Sequence, residues 1–538
     1  MSENVLPEQS ETLPGDDPQS RSMRSSAHSA AVVMAATLAS RLLGFVKMAV
    51  IGTVFGAGAR ADVLHLVFVI PNNLRKLLAE GALSSAFIPV LSERIVNDRD
   101  RTAARSLVRS IITFQAMLLV PLIFASIVWS GAVTRVILDF RDPEQAQLAA
   151  SLFRYIIPYL LFISVAAVLV GTLNSHNRFL LPALAPLAFS ICVILALTLL
   201  SGRLDIYAMA AGVLAGGVLQ LTILVPQFRR LGYSFRPLFS FGSEDMLRVL
   251  RQWGPVVATA SVYTINQQVA VRFASGLEPG SGSAMQNALV FWQLPFGLFS
   301  ASVTTVLFPR MSREIARDDT DGIRNTLETG FRYLIALLVP SAVYLAFYGR
   351  ATISVALQSG AFTPADSELA GAVLAAYCLG LLSVGAFNFF QRFFYASGNY
   401  RIPLYTALGV LVIDVALSIW LISTPLRVVG LAVAHSVAFS AGLAVLLVLA
   451  IRRVGAFNVS LLISESGKSV AASLALLLYL LAILAIDGQF WVAGRSVSTF
   501  LTVVGVAVGG GVVVLLVLWL LNAEIVTVFL RNRIARNK

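Results

Sequence analysis

The chain has 538 residues, of which 57% are hydrophobic and only 13% are charged, and its mean hydropathy is +0.81. A soluble globular protein has roughly 25% charged residues, so this composition excludes a large water-soluble domain. The net charge of +12 lies mostly in short loops, which indicates topology signals and contacts with anionic lipids rather than nucleic-acid binding. Because the apolar runs are long and unbroken, they predict membrane-spanning α-helices and not the alternating strands of a β-barrel.

About fourteen apolar spans follow a polar tail. Residues 1–27 are rich in Ser, Glu, Asp and Pro and contain no apolar run, which predicts a disordered tail. The predicted spans lie near residues 30–56, 63–92, 106–138, 148–173, 181–201, 205–226, 253–277, 284–309, 328–348, 366–396, 402–423, 427–451, 468–486 and 499–522. We therefore predict an all-α polytopic membrane protein.

Basic residues are unevenly distributed among the connections between these spans. The odd-numbered connections, such as residues 277–284, hold few unpaired positive charges, whereas the even-numbered connections contain arginines such as Arg94, Arg229 and Arg313. By the positive-inside rule, the even-numbered connections and both termini are cytoplasmic. The basic segment 526–538 agrees with a cytoplasmic C-terminus.

The two halves of the chain repeat each other. Three short motifs that end in proline recur at offsets of 219 to 221 residues, and the pairs are Pro89 with Pro309, Pro121 with Pro340, and Pro182 with Pro403. Three matches at nearly one offset indicate a duplication. Each copy holds six spans, so the copies share one orientation and are related by a pseudo-two-fold axis along the membrane normal.

This repeat divides the chain into segments with different predicted roles. A cavity is expected between the two copies, and two further spans stand outside the repeat. The segments are a cytoplasmic tail at 1–27, an N-lobe at 28–226, a cytoplasmic linker at 227–252, a C-lobe at 253–453, two further spans within 454–525, and a basic cytoplasmic tail at 526–538.

Three cationic residues, Arg41, Lys47 and Arg75, lie within the first two spans. Each costs roughly 2.5–3.5 kcal/mol near the centre of a bilayer. None has a carboxylate at helical spacing that would pair it locally. Arg41 or Lys47 could extend to the membrane interface, but the favoured interpretation is a cationic cavity for an anionic ligand. Because the planar guanidinium group matches phosphate oxygens, Arg41 and Arg75 are the better phosphate candidates.

Other residues near these cations have simpler roles. Lys76 and Glu80 are four residues apart on one helical face, where they can neutralise each other. Asp62 opens the second span, where a carboxylate favours the positive end of a helix, so capping is its simplest role. Pro71, and Pro295 at a similar place in the second half, should kink spans 2 and 8 and let them bend around a cavity.

Span 11 carries a lone carboxylate, Asp414, with Ser418 one turn later. Two roles stay open for it: a site for a monovalent cation or proton, or a hydrogen-bonded acid in the core. We expect His435 in span 12 to pack in the core rather than to relay protons. No sequence pattern indicates an ATP site, a metal site, a catalytic triad or a cofactor, so we do not expect an enzyme.

Several motifs carry a resemblance to a known family. They are residues 40–45, 55–58, 71–75, 79–89 and 293–299. From roughly residue 28 to residue 525, the sequence closely resembles the MurJ/MviN family of lipid II flippases, part of the MOP exporter superfamily. The resemblance implies two six-helix lobes around a central cavity, plus two helices that extend a hydrophobic groove.

This resemblance implies a function and a location. The family carries lipid II, the undecaprenyl-pyrophosphate-linked peptidoglycan precursor, from the inner to the outer leaflet of the bacterial inner membrane by alternating access, for cell-wall synthesis. Its cavity cations match at Arg41, Lys47 and Arg75, which would bind the pyrophosphate. The supporting positions match at Gly44, Asp62, Pro71, Glu80 and Pro295.

Two positions depart from the family pattern. Met48 stands where the family has an aspartate, and Val290 stands where it has an arginine, so one positive charge is missing from the expected site. The sequence alone does not show that Arg272 of span 7 replaces the arginine that is missing at position 290. Two alternatives therefore stay open: an exporter of another polyprenyl-linked glycan or amphipathic solute, or a non-transporting scaffold. The expected partners are lipid II, anionic lipids and the cell-wall synthesis machinery.

Overall fold

A computed structural model describes residues 36, 39–40, 42–77, 81–97, 102–486, 492 and 494–527. The predicted tail at 1–27 and all but the first two residues of the tail at 526–538 lie outside the described residues. Every regular element within the described residues is helical, as the long apolar runs predict.

Nine helices make up the first half of the chain. Helices lie in all six predicted spans of this half, and the second, third and fourth spans are each divided into two helices. The bounds are α1 Leu42–Phe55, α2 Ala59–Arg75, α3 Gly81–Asn97, α4 Thr102–Val128, α5 Ser130–Ile137, α6 Pro143–Ile156, α7 Tyr159–Ser175, α8 Leu180–Leu204 and α9 Tyr207–Arg230.

Ten α-helices and one short π-helix make up the second half. Here the spans predicted as eighth and tenth are divided. The bounds are α10 Glu244–Ser275, α11 Ser281–Pro295, the π-helix Phe296–Ser300, α12 Ala301–Ala316, α13 Thr320–Leu357, α14 Pro364–Cys378, α15 Leu381–Ala396, α16 Arg401–Ile422, α17 Arg427–Val454, α18 Val459–Ile486 and α19 Val497–Leu520.

Polar residues at the chain reversals fix several of these helix starts. The Asp142 side chain accepts a hydrogen bond from the backbone of Glu144, and Pro143 occupies the first turn of α6. The Asp319 side chain caps α13, and Thr363 forms a capping box with Asp366 at α14. These caps accept hydrogen bonds from amides that have no partner within the helix. Leaving such an amide without a partner is costly where water is scarce.

The helices form two lobes and a C-terminal pair. In the N-lobe, α9 packs on α7 and α8, and α7 also contacts α3 and α4. In the C-lobe, α14 packs on α11, α13 and α17, while α16 packs on α10 and α17. The pair α18 and α19 lies against α13. This two-lobed arrangement confirms the predicted fold, while the predicted segment boundaries stay predictions.

Ten helices in the described part of the chain are long and apolar enough to cross a membrane. The bent pair α14 and α15, which meet at 44°, raises this number to eleven. The other three predicted spans are less regular: α1 is a shorter apolar helix, α2 and α3 have 17 residues each, and α10 contains several amide side chains. The predicted total of fourteen is consistent with this architecture and stays a prediction.

The odd-numbered connections meet at one end of the bundle. Thr53 O accepts a hydrogen bond from the backbone of Ala361, and Arg60 forms an ion pair with Asp205. We call this the sealed end, defined by contacts of residues 53–62 with residues 278–283 and 359–361. At the opposite end, even-numbered connections meet, as in the ion pair of Arg94 with Asp245.

Candidate functional site

Two of the three predicted cavity cations lie close together in the N-lobe. Lys47 on α1 and Arg75 on α2 are both partly buried and near enough to interact electrostatically. The Lys47 ammonium lies 5.2 Å from the centre of the Phe68 ring, a cation–π contact. The Oδ1 atom of Asn72 accepts hydrogen bonds from Nε and Nη2 of Arg75 at 3.2 and 2.8 Å. The third cation, Arg41, lies outside the described residues.

The face of α2 that carries Arg75 combines three polar residues with one aromatic residue. His65, Phe68, Asn72 and Arg75 recur every three or four residues, and His65 is buried near Lys47. Two like charges repel most strongly where water is scarce, so an anion placed between Lys47 and Arg75 would lower the energy of both. The motif signalled Asn72, but sequence reasoning missed His65.

Both prolines assigned to kinks precede π-helical turns. Pro71 is followed by a π-turn at residues 76–77, and Pro295 by the π-helix Phe296–Ser300. Proline removes a backbone donor from the α-helical ladder, and in both lobes a π-turn follows on the C-terminal side of the proline. The two lobes therefore carry matching breaks about 220 residues apart, each beside the central region.

Asp62 joins the two lobes. It lies in the first turn of α2 and is only 3% exposed, and its carboxylate accepts hydrogen bonds from the backbone amides of Gly280 at 2.7 Å and Ser283 at 2.6 Å. These amides belong to the N-terminus of α11, so Asp62 caps a helix of the opposite lobe. The sequence indicated that Asp62 caps the start of α2. In the structure, its carboxylate accepts hydrogen bonds from the start of α11 instead.

Glycines permit the close approach of backbones at the sealed end. Gly280 has a φ of +99°, and a Cβ atom there would lie 2.9 Å from the carbonyl oxygen of Ala57. Gly56 has a φ of +68°, and a Cβ atom there would lie 2.7 Å from the carbonyl oxygen of Ala361. A larger residue at either place would strain the backbone and separate the lobes.

Arg272 also lies at the sealed end and not beside Lys47. Its guanidinium donates to the carbonyls of Arg135 and Val136 and contacts the carboxylate of Asp139 at 3.1 Å. Arg272 therefore bridges the end of α10 to the last turn of α5 and the loop that follows it. It does not supply the positive charge that Val290 lacks.

The remaining predicted positions have varied surroundings. Met48 is 8% exposed within the core, and Val290 packs against the same core. Both residues that differ from the family pattern therefore make apolar contacts. A Cβ atom added at Gly44 would meet nothing within 4 Å. Lys76 is exposed, while Glu80 lies outside the described residues, which leaves their pairing a prediction.

A long apolar groove runs beside α1. Its volume is about 1320 Å³, and it lies between α1, α11, α13 and the pair α18 and α19. Examples of its lining residues are Phe45, Leu337, Tyr344, Phe500 and Val504. Phe45 and Lys47 are two residues apart on α1, so they point to different faces of this helix. Phe45 lines the groove, whereas Lys47 contacts Phe68 of α2.

Polar contacts hold α18 and α19 against α13 at both ends of this groove. At the sealed end, the backbone oxygen of Gln358 accepts from Arg495, and its side-chain amide donates to the carbonyl of Val492. At the opposite end, Arg332 donates to Glu524 at 2.8 Å and lies beside Glu328 at 3.4 Å. The groove helices are therefore fixed to the C-lobe.

Asp414 lies in a polar cluster inside the C-lobe. It is 6% exposed, and its Oδ2 atom accepts a hydrogen bond from Asn266 of α10 at 2.8 Å. His435 Nδ1 lies 3.3 Å from the same oxygen, and the Ser418 hydroxyl donates to Oδ1 at 3.3 Å. Sequence reasoning found Asp414 and Ser418, which share a helix, but not their partners on α10 and α17.

Paired lobes, π-turns after Pro71 and Pro295, and a helix that both carries a cation and lines an apolar groove are features of a two-lobed membrane transporter. Comparisons with known proteins make the class more specific. The family model described as lipid II flippase MurJ matches residues 51–505. The chain belongs to this family.

Individual relatives agree with this membership. The probable lipid II flippase MurJ of Borreliella burgdorferi is 32% identical over 408 residues, which cover 76% of this chain and 80% of the relative. The lipid II flippase MurJ of Burkholderia cenocepacia is 29% identical and covers 70% of this chain and 74% of the relative.

Solved structures show the same architecture. A lipid II flippase MurJ in an inward closed conformation matches with a TM-score of 0.75 at 25% identity, over 93% of this chain and 99% of that structure. An inward-facing multidrug resistance MATE transporter of the MOP superfamily matches with a TM-score of 0.63 at 14% identity. This second match covers 77% of this chain and 94% of that structure and shows the fold alone.

Proposed function

We propose that this chain is a lipid II flippase that moves the lipid-linked peptidoglycan precursor across the bacterial inner membrane for cell-wall synthesis. It makes and breaks no covalent bond, so it is a transporter and not an enzyme. The observation that carries this proposal is that α1 lines the apolar groove on one face and, on another face, carries Lys47 near Arg75 of α2. A substrate with a charged head and a long apolar tail matches both surfaces at once.

The pyrophosphate binds to the cations in this proposal. Arg41, Lys47 and Arg75 surround it, and the guanidinium of Arg75, oriented by Asn72, donates to its oxygens. Bound substrate offsets the repulsion between Lys47 and Arg75, so the substrate stabilises a conformation in which the two helices stay close. The lipid tail stays in the groove.

Alternating access follows from the contacts between the lobes. The bonds from Asp62 to α11 hold the sealed end shut, and the substrate enters from the opposite end. Opening the sealed end breaks these bonds, while the π-turns after Pro71 and Pro295 let α2 and α11 bend.

The orientation in the membrane follows from charge. Both termini and the even-numbered connections face the cytoplasm, where their arginines contact anionic lipid headgroups. The sealed end then faces the periplasm. Release of lipid II on that side delivers it to the cell-wall synthesis machinery, which is the partner that consumes it.

Asp414 and Ser418 form the coupling site in this proposal, where a cation or proton binds in the C-lobe while the substrate binds in the N-lobe. Two bound species in two lobes can be linked through the equilibrium between the conformations.

Reconstituted vesicles test the proposed function. Purified chain in liposomes of phosphatidylethanolamine and phosphatidylglycerol should move fluorescent lipid II between leaflets, read as loss of protection from a membrane-impermeant quencher. Arg75→Ala should abolish this movement with normal folding. Arg60→Ala is the matched control, because Arg60 lies on the same helix in an exposed ion pair and should keep the native rate.

A second candidate function rests on Met48 and Val290. With apolar residues at these two positions, the site holds less charge and suits another polyprenyl-linked glycan or amphipathic solute. A panel of polyprenyl pyrophosphate glycans in the same vesicles distinguishes the two. Movement of another glycan in preference to lipid II would favour the second candidate, and movement of none would leave a scaffold.

A further inference from the structure

A pair of amide side chains joins the two lobes near the middle of the bundle. Asn73 of α2 is 3% exposed, and its Nδ2 atom donates a hydrogen bond to Oε1 of Gln268 on α10 at 3.3 Å. The helix α2 belongs to the N-lobe, and α10 packs on α16 of the C-lobe. The pair therefore lies where the lobes meet, and its two side chains must part when the lobes separate.

This pair uses only part of its hydrogen-bonding capacity. Two facing amide groups can exchange two hydrogen bonds, because each has an oxygen acceptor and an NH₂ donor. Asn73 Oδ1 and Gln268 Nε2 are buried, and neither has a hydrogen-bond partner within the described part of the chain. Buried amide atoms usually have a partner, above all in a membrane, where water is scarce. An acceptor on one lobe and a donor on the other are therefore available to a ligand.

These two atoms match a secondary amide group. In the trans form of such an amide, the N–H and the C=O point to opposite sides. A trans amide placed between the two side chains can donate to Asn73 Oδ1 and accept from Gln268 Nε2. A phosphate or carboxylate oxygen only accepts, so it would face the Asn73 oxygen without a proton between them. The pair thus suits a neutral amide and not an anion.

The pair lies at the depth of Arg75 but on another face of α2. Asn72, which orients Arg75, precedes Asn73 by one residue, so the two asparagine side chains point about 100° apart. A head group bound at Arg75 by its pyrophosphate must extend around α2 to reach Asn73. In a lipid-linked peptidoglycan precursor, the glycan follows the pyrophosphate, and its amino sugars carry acetamido groups, which are secondary amides.

We infer that Asn73 and Gln268 form a subsite between the lobes that recognises an acetamido group of the transported glycan. The acetamido N–H donates to Asn73 Oδ1, and the acetamido oxygen accepts from Gln268 Nε2. The ligand thereby replaces the direct hydrogen bond between the two side chains, so it stabilises a conformation in which they stand apart. This inference rests on the proposed function for the identity of the glycan only.

Binding of two matched carriers tests the subsite without any transport. Undecaprenyl-pyrophosphate-linked N-acetylglucosamine and undecaprenyl-pyrophosphate-linked glucose differ by one acetamido group in place of a hydroxyl. By microscale thermophoresis in detergent, the native chain should bind the first carrier about tenfold more tightly than the second. Asn73→Leu and Gln268→Leu should each reduce this preference to less than about twofold. Both variants should bind undecaprenyl pyrophosphate without a sugar at native affinity, because Arg75 is unchanged.

Asn388→Leu is the matched control. Asn388 is also an amide in an apolar helix, but its side chain donates to the Val384 carbonyl of its own helix at 2.8 Å, so this variant should keep the tenfold preference. The double variant Asn73→Leu, Gln268→Leu should lose no more than either single variant, since both side chains bind one group. Because the preference is a ratio measured within one protein, partial loss of folded protein does not change it.

Two results would overturn the subsite: equal binding of both carriers by the native chain, or a preference that both single variants keep. Movement of lipid II in liposomes separates this inference from the proposed function. A native chain that shows the preference but moves no lipid II supports the subsite and contradicts the proposed function. A native chain that moves lipid II but binds both carriers equally supports the function and overturns the subsite.

Discussion

The two lobes share one fold but carry opposite charges at their polar centres. In the N-lobe, Lys47 of α1 and Arg75 of α2 bring two positive charges near each other. In the C-lobe, a single carboxylate, Asp414, accepts hydrogen bonds from three helices. The N-lobe centre is therefore cationic, whereas the C-lobe centre is a hydrogen-bonded acid.

The repeat itself explains none of this chemistry. At an offset of 220 residues, Asp414 and His435 correspond to Ile194 and Ala215, and Lys47 corresponds to Gln267. The duplication supplied the helices and the matching helix breaks, and the charges differ between the copies. The comparison teaches that a duplicated scaffold can hold positive charges in one lobe and a buried carboxylate in the other.

Charge reversal in the N-lobe should have the largest effect. Arg75→Glu removes a donor to the pyrophosphate and adds a repulsive charge. A loss of about 4 kcal/mol in binding free energy weakens the binding of undecaprenyl pyrophosphate by roughly 1000-fold. Microscale thermophoresis in detergent measures this affinity. Arg60→Glu on the same helix should bind normally, and native affinity in Arg75→Glu would remove Arg75 from the site.

A buried arginine of the C-lobe should behave differently. Arg332 is 5% exposed and lies between Glu328 and Glu524, so Arg332→Ala leaves two acids without their partner. We expect a loss of about 3 kcal/mol in stability and native pyrophosphate affinity. Thermal unfolding in detergent and the binding assay report these two quantities. Unchanged stability would show that this network does not hold α18 and α19 in place.

The next largest effect is expected from a substitution at the contact between the lobes. Asp62→Ala removes two hydrogen bonds to α11, and a change of about 2 kcal/mol shifts the equilibrium toward an open sealed end by roughly 30-fold. Spin labels at Arg60→Cys and Glu278→Cys, in a background without Cys192 and Cys378, measure the distance across this end.

Asp62→Asn is the matched control for this distance measurement. The amide keeps one oxygen acceptor, so its distance distribution should lie between those of the native chain and Asp62→Ala. If Asp62→Ala shows the native distribution, the contact does not hold the sealed end shut.

Filling the groove should have the smallest of these effects. Ala507 is exposed and lines the groove, so Ala507→Trp occupies space that the lipid tail needs. Movement of lipid II with a full-length tail should fall about tenfold, which corresponds to about 1.4 kcal/mol. A short-chain analogue in the same vesicles should move at the native rate. Equal losses for both chain lengths would place the tail elsewhere.

Much of the fold could be predicted because it depends on patterns within single segments. Long apolar runs marked the helices, and prolines such as Pro89 and Pro309 marked the repeat. The cations Lys47 and Arg75 stood out because charges in apolar spans are costly. The division of span 4 at Pro158 was missed, because the apolar pattern continues through that break.

The contacts between distant segments could not be predicted in the same way. Asp62 binds backbone amides more than 200 residues away, and every residue has such an amide, so no side-chain pattern indicates the partner. His435 was interpreted as a packed core residue, since its partner Asp414 lies on another helix. Arg272 could be placed only when the fold showed Asp139 beside it.

Rescue of bacteria that lack their own flippase tests the central claim most directly. The measurement is exposure of lipid II in the outer leaflet of cells depleted of that flippase and supplied with this chain or with Arg75→Ala. The account predicts restored exposure and growth with the native chain and neither with Arg75→Ala at equal membrane expression. Absence of rescue by the well-expressed native chain, or equal rescue by Arg75→Ala, would contradict it.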